Sequence, residues 1–274
     1  MHVFWSLIKY IIGKVGQIKK ALGLALMRSR LERVPLQTEG DAKFMKYKVH
    51  YTDWRVFYYE FTDMFMDRSY HFRSEKTSPL IFDCGSNIGM SIIYFKHICP
   101  KARVIGFEPD SVTFKILEEN IRKNNLNDIR LVNAALSDIS GALEFISDGM
   151  DGSHLAKLEH KTLSNSVKRC IVKSVKLSDY IVEPVDLLKV DVEGAEYEVL
   201  KECGDKLCLV KEMIIEYHCF RELKPMLPAF LKLLTDKGFR YIICSRNISP
   251  PLHKRTNEPN LLLIYAYRDA FPTE

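Results

Sequence analysis

Leu80-Ile81-Phe82-Asp83-Cys84-Gly85-Ser86-Asn87-Ile88-Gly89-Met90 reads as a short buried strand that runs into a glycine loop and opens a helix. Ligands of an open parallel sheet bind beyond the carboxyl ends of its strands, so this loop is where a site is expected. Gly85 removes the Cβ that would block the close approach of a ligand, and Gly89 lets the helix begin close to the strand. At the strand tip, Asp83 is placed to accept a hydrogen bond from an ammonium group.

Working outward, the pattern alternates. Met90 to Ile98 reads as a helix, Arg103 to Phe107 as a strand, Val112 to Lys123 as a helix and Ile129 to Val132 as a third strand. Ala142 to Ile146 and Cys170 to Leu177 read as strands flanking a polar loop, Ser147 to Arg169. Val185 to Val190, Ala195 to Lys201, Met213 to Tyr217 and Leu223 to Lys237 then give strand, helix, strand and helix, and Phe239 to Cys244 and Leu261 to Tyr267 are two strands able to pair antiparallel. Such alternation means parallel βαβ units, hence an α/β, doubly wound sheet with an antiparallel finish. Upstream, Trp54, Phe57, Tyr58, Phe61, Met64 and Phe65 return at helical spacing, with Thr52 or Asp53 as N-cap, and such aromatics belong to a core. Pro35 to Tyr51 is polar and aperiodic and reads as a linker. The division expected is an N-terminal helix and linker over residues 1–51 and one domain over 52–274.

Composition limits the partners. The chain has 274 residues, 47% hydrophobic and 27% charged, with a net charge of +5. Met1 to Val34 carries seven Lys/Arg against one acid, a net of +6, which leaves the remainder near −1. A near-neutral body argues against nucleic acid as substrate. Seven scattered cysteines without a C-x-x-C pair suggest reduced thiols and a cytoplasmic location. Phe4, Leu7, Ile8, Ile11, Val15, Ile18, Leu22 and Leu26 form one helical stripe, interrupted by lysines too soon for a transmembrane span. Two readings stay open for this segment: peripheral contact with an anionic membrane through residues 1–33, or packing on its own domain or a second subunit.

The glycine spacing bears on the cofactor. A dinucleotide fingerprint G-x-G-x-x-G needs its middle glycine beside the pyrophosphate, whereas Asn87 stands there and Gly89 comes one residue early. A loop tipped with Asp83 suits S-adenosylmethionine, which carries a sulfonium and an ammonium and no phosphate. Gly106-Phe107-Glu108-Pro109 ends the second strand with a carboxylate able to accept from both ribose hydroxyls. Asn133-Ala134-Ala135-Leu136-Ser137-Asp138 follows the third strand, where backbone groups near Ala134 and the Ser137 side chain are candidates for the adenine edge.

These three segments, together with Leu188-Lys189-Val190-Asp191-Val192-Glu193-Gly194-Ala195-Glu196, resemble the FkbM family of class I methyltransferases over roughly Thr52 to Tyr267. The resemblance implies a seven-stranded Rossmann-like sheet and methyl transfer to oxygen, often on a sugar or a glycan-bearing natural product.

Removing the proton of an alcohol acceptor calls for a base. Asp191, Glu193 and Glu196 follow one predicted strand, and Glu216 with His218 end the next. His218 is the expected base because imidazole accepts a proton near neutral pH, the alternative being a loop histidine with a satisfied hydrogen bond. Asp191 is expected on the sulfonium side, with the base role as its alternative, and Gly194 permits the turn. Glu193 and Glu196 either hold acceptor hydroxyls or offset a helix dipole. Ser153 and His154 lie in a loop expected to cover the acceptor. The carboxylates and His218 are also capable of holding a divalent cation, but nothing in the spacing demands one, and none is expected. Two rival readings are a nicotinamide-dependent oxidoreductase on a similar sheet and a non-catalytic, membrane-tethered S-adenosylmethionine-binding module.

Overall fold

In a computed structural model, the described residues are 38–147, 154–155, 168–220, 226–245 and 260–269. The N-terminal segment through residue 37, on which the membrane question turns, lies outside them.

A seven-stranded sheet organises the chain. Its strands are β3 (Leu80–Cys84), β4 (Arg103–Phe107), β5 (Ile129–Val132), β10 (Val185–Val190), β11 (Val210–Cys219), β12 (Arg240–Ser245) and β13 (Asn260–Tyr267). They lie in the order β12-β13-β11-β10-β3-β4-β5, with β13 antiparallel to both its neighbours and the remaining pairs parallel. This is the Rossmann-like arrangement expected. From β3 the chain steps outward to β4 and β5, while β10 begins the other half, so the topological switch lies between β3 and β10.

Both faces of the sheet are covered. Leu80, Phe82, Leu188 and Val190 face α4 (Glu196–Cys203) and α5 (Leu227–Asp236), whereas Ile81, Leu187 and Ile214 face α1 (Trp54–Phe61), α2 (Met90–Ile98) and α3 (Ser111–Lys123). Every residue of β3 is at most 4% exposed, and each large apolar side chain so buried contributes about 1.5–3 kcal/mol. Asp53 caps α1, its Oδ1 accepting from Arg55 N at 2.7 Å and Val56 N at 3.3 Å. A π-helical turn, Thr62–Asp67, continues α1. Phe44, Phe57, Phe61 and Phe65 form a ring cluster with neighbouring centroids 5.0–6.2 Å apart, so these aromatics are core.

Two expectations change. The stretch before Tyr51 contains an antiparallel hairpin, β1 (Gly40–Phe44) and β2 (Tyr47–Tyr51), and not only a linker. Tyr47, Val49 and Tyr51 are buried in the core with α1 and α2. Asn120 of α3 clasps the hairpin: its Oδ1 accepts from His50 N at 2.8 Å, and its Nδ2 donates to His50 O and Ile88 O, both at 2.9 Å. Second, the strands around the polar loop leave the main sheet. β6 (Ala135–Leu136), β7 (Gly141–Ser147), β8 (His154–Leu155) and β9 (Lys168–Val175) form a separate sheet in the order β6-β9-β7-β8.

Candidate active site

The glycine loop owes its shape to the neighbouring strand. Gly85 has φ +88°, and a Cβ there would sit 1.9 Å from the Asp191 carbonyl oxygen. The residue is therefore required by the approach of the β10 end, and it also lines the cleft. Asp191 N donates to Cys84 O at 3.0 Å across the same junction. Gly89, at φ +95°, makes room for Leu117 of α3, which a Cβ would meet at 2.7 Å. Between them Asn87 adopts φ +45° and turns its N–H to Glu108 Oε2 at 3.0 Å.

A cleft that encloses about 680 Å³ of space, part of it open to solvent, lies over this junction. Gly85, Asn87, Glu108, Asp191 and Glu193 supply its polar wall. Phe107, Pro109, Ala134, Ala135, Leu136 and Phe145 form an apolar slot, the last three from the second sheet, so β6 and β7 roof the cleft. Sequence reasoning missed this apolar half, apart from Ala134. Phe145 was out of reach because its side of β7 depends on pairing with distant β9.

Glu108 accepts from two backbone donors, Asn87 N at 3.0 Å and Asp110 N at 2.9 Å, one on each oxygen. Burial pushes its carboxyl up to about 8, against the pull of those donors. Each oxygen keeps a lone pair for a ligand hydroxyl.

Asp83 is placed differently from the expectation. Its side chain is 0% exposed and outside the cleft lining, with Oδ2 accepting from Ser91 Oγ at 2.6 Å and Oδ1 3.5 Å from Lys189 Nζ. Lys189 is its register partner on β10. This lysine, 2% exposed, also stands 3.1 Å from Asp191 Oδ2 and donates to Gly85 O. Burial pulls its pKa down, but Asp191, Asp83 and Glu216 outweigh burial and raise it, so it is an ammonium. Asp83 thus anchors the loop from below through Lys189. A lysine inside the buried run Val185–Val190 was the signal that a partner had to exist. Ser137 is likewise buried outside the lining, its hydroxyl donating to Asp138 Oδ1 at 3.1 Å. Glu216, 8% exposed, accepts from the Tyr70 hydroxyl and is structural in this arrangement.

Beside the cleft, three carboxylates, two of them from its lining, converge on His218. Nδ1 donates to Glu196 Oε1 at 2.9 Å, and Nε2 lies 3.3 Å from Glu193 Oε2 and 4.0 Å from Asp191 Oδ1. Glu196, 1% exposed, also accepts from Gly194 N at 2.9 Å. Burial lowers the His218 pKa, but Glu193, Glu196 and Asp191 outweigh it and hold the group well above its ordinary range. The residue expected as the base thus stands among three carboxylates that favour its protonated form. Glu193 and Gly194 take φ +53° and +97° in succession, a turn that brings the Glu193 side chain to the cleft. Ser153 lies outside the described residues; His154 pairs with Ile146 at the β7–β8 edge.

The carboxylates of Asp191 and Glu193, the carboxyl of Glu108 and, among the described lining residues, no lysine or arginine make the cleft averse to phosphate and receptive to a cation. The polar wall and apolar slot fit an adenosyl sulfonium, and the class is that of S-adenosylmethionine-dependent methyltransferases. Residues 83–241 match the methyltransferase FkbM domain, and the chain belongs to that family. Membership sets aside the oxidoreductase reading.

Among its relatives, methyltransferase sdnD of Sordaria araneosa is 28% identical over 211 residues, covering 65% of this chain and 80% of that protein. The 2-O-methyltransferase NoeI of Sinorhizobium fredii is 29% identical over 160 residues, covering 52% and 63%. The hexuronic acid methyltransferase AglP of Haloferax volcanii is 34% identical over 144 residues, covering 51% and 56%.

Proposed function

We propose that the acceptor is a hydroxyl oxygen of a saccharide or small metabolite. The observation that carries this reading is the convergence of Asp191, Glu193 and Glu196 on His218 beside the cleft that Asp191 and Glu193 line. An amine or thiolate nucleophile needs no such array, whereas an alcohol must lose a proton as it attacks. Two relatives whose names specify oxygen or a hexuronic acid as acceptor support the same class.

S-adenosylmethionine, when bound, would supply a methyl group already activated on sulfonium for transfer to the acceptor oxygen, with a neutral thioether as leaving group. Glu108 would hold the ribose, and the slot between Phe107 and Phe145 would receive the adenine. Asp191 and Glu193 would face the charged sulfur end, and one of these two carboxylates would take the acceptor proton. His218, fixed by Glu196, orients them. Much of the help is positional, because the leaving group needs no further activation.

The test is a screen for S-adenosylhomocysteine release over monosaccharides, uronic acids, small alcohols, amines and thiols, with the methylated atom located by NMR. Product methylated only at nitrogen, carbon or sulfur sinks the reading. Among the described residues no helix is long and apolar enough to cross a membrane. Peripheral contact through residues 1–33 is proposed on the apolar stripe and positive charge of that segment; equal pelleting with anionic vesicles after its deletion dismisses it.

A further inference from the structure

The acceptor end of the cleft holds more acid than binding a cationic donor requires. Lys189 reaches Asp191 Oδ2 from the buried side at 3.1 Å, while Asp191 Oδ1 is directed toward His218. One ligand atom each from Asp191, Glu193 and His218 lies within 4.8 Å of the others. The sequence spacing did not demand a metal ion here, because His218 arrives from a separate strand.

We propose that Asp191, Glu193 and His218 Nε2 form a divalent cation site of the magnesium–manganese class, which binds an acceptor carrying two adjacent oxygens, such as a vicinal diol or a hydroxy acid. The inference rests on the hydroxyl-acceptor reading above and deepens it.

Spacing is the first support. Octahedral ligands about 2.1 Å from an ion stand about 3.0 Å apart when adjacent and about 4.2 Å apart when opposite. The recorded separations of 3.3 and 4.0 Å from Nε2 fall between those limits. Shifts of a few tenths of an ångström would close the shell.

Independent of the acids that face the cleft, a buried carboxylate orients the imidazole. Glu196 is 1% exposed and is itself fixed by the Gly194 N–H, and it accepts from His218 Nδ1. That bond holds a proton on Nδ1 and leaves Nε2 facing Asp191 and Glu193, where a metal ion would take the place of the Nε2 proton. A carboxylate behind a histidine is the arrangement that orients metal-ligating imidazoles and raises their basicity. A loop histidine with a satisfied hydrogen bond does not call for two further carboxylates in front of it.

The donor set and its position indicate the role. Two carboxylates and one imidazole leave roughly half of an octahedral shell open, which suits a site that binds substrate and not a closed structural one. Hard oxygen donors with a single nitrogen favour Mg²⁺ or Mn²⁺ over the softer metals that thiolates select. Asp191 and Glu193 also line the donor cleft, so the open positions face the space where methyl donor and acceptor meet. Two adjacent open positions match two adjacent oxygens of the acceptor.

The full-length chain, stripped with chelator, is titrated with Mn²⁺ while the free-ion EPR signal is followed. Binding of one ion per chain is expected, with competition by Mg²⁺. Asp191→Asn, Glu193→Gln and His218→Ala should each weaken it at least about tenfold, and Glu196→Gln by about tenfold through loss of orientation. Glu193 lies at the cleft surface, so Glu193→Gln keeps the test decisive if a buried variant fails to melt cooperatively. Absence of binding by the parent chain, or equal Mn²⁺ affinity in the parent chain and Glu193→Gln, overturns the site. Calorimetry of S-adenosylhomocysteine on the same metal-free samples separates the two readings: failure there counts against the methyl-transfer cleft, while the Mn²⁺ titration still decides the metal site.

Discussion

Replacing Lys189 with methionine removes the cation that ties the donor loop to the next strand while keeping most of the side-chain volume. The ammonium stands 3.5 Å from Asp83 and 3.1 Å from Asp191 at 2% exposure, and Glu216 adds to its field. Breaking a buried ion pair by removing one partner costs about 3–5 kcal/mol, because a carboxylate is left desolvated. For a chain of this size that corresponds to a fall in melting temperature of about 6–20 °C. Urea denaturation followed by circular dichroism measures the loss directly. The pH dependence identifies its cause. In the variant, Asp83 would have a folded pKa raised above its unfolded value, so stability is present below about 3.9 and lost as pH rises through the folded value. The deficit should therefore be larger at pH 8 than at pH 5. In the parent chain burial already raises the Asp83 pKa and Lys189 opposes that rise, so the parent should show a shallower slope of the same sign. Asp83→Asn added to Lys189→Met should recover more than half of the loss. A deficit below about 1 kcal/mol, or one unchanged between pH 5 and 8, would refute the assignment of Lys189 as the charge that holds the loop.

Three further outcomes are expected. Gly85→Ala places a methyl group 1.9 Å from the Asp191 carbonyl at φ +88°, at a cost of about 2–5 kcal/mol; an unfolding midpoint equal to the parent's would contradict the close approach. Glu108→Ala should weaken S-adenosylhomocysteine binding at least about tenfold. Since ribose hydroxyls donate to the ionised carboxylate, affinity in the parent should rise with pH and level off above about 8, and Glu108→Gln should flatten that profile; calorimetry giving the same slope in both proteins rejects the ribose contact. Asn120→Ala leaves His50 N, His50 O and Ile88 O without their side-chain partner, a loss of about 2–4 kcal/mol, with faster amide exchange at His50 as its local signature; unchanged exchange there would show that the hairpin is held by other contacts.

Much of the sheet was legible because its central strands are apolar runs closed by charge or glycine. Arg103–Phe107, Ile129–Val132 and Val185–Val190 have the bounds the pattern gives. The hairpin was not, since β1 alternates only between half-buried and exposed positions and β2 offers three core residues in five. Period-two patterns revealed β7 and β9 but not their sheet, because strand identity is local whereas the pairing of Ala135 with Ser174 is a long-range choice. At the site, Glu108 and Asp191 were legible as acids at strand ends. Asp83 looked the same in sequence, yet its destination depends on Lys189, which lies more than a hundred residues away. The raised pKa of His218 was equally out of reach, because it results from carboxylates on the loop after β10 and on the helix that follows.

Strand alternation explains why acids at neighbouring strand ends divide into two tiers with different work. Asp83, Lys189 and Ile214 are in register across β3, β10 and β11, so their side chains share one face, and Glu216 two residues on from Ile214 shares it too. In this lower tier Lys189 and Tyr70 engage the carboxylates, and little charge is left to act on a ligand. Asp191, two residues beyond Lys189, reaches the loop above, where Glu193 and Glu196 join it around a single imidazole. Negative charge there exceeds positive and faces the cleft. Shifting Lys189 by one residue would turn it to the opposite face, among Leu188 and Val190, and leave both tiers uncompensated. The buried lysine thus decides where acid serves the fold and where it remains available to a cationic methyl donor.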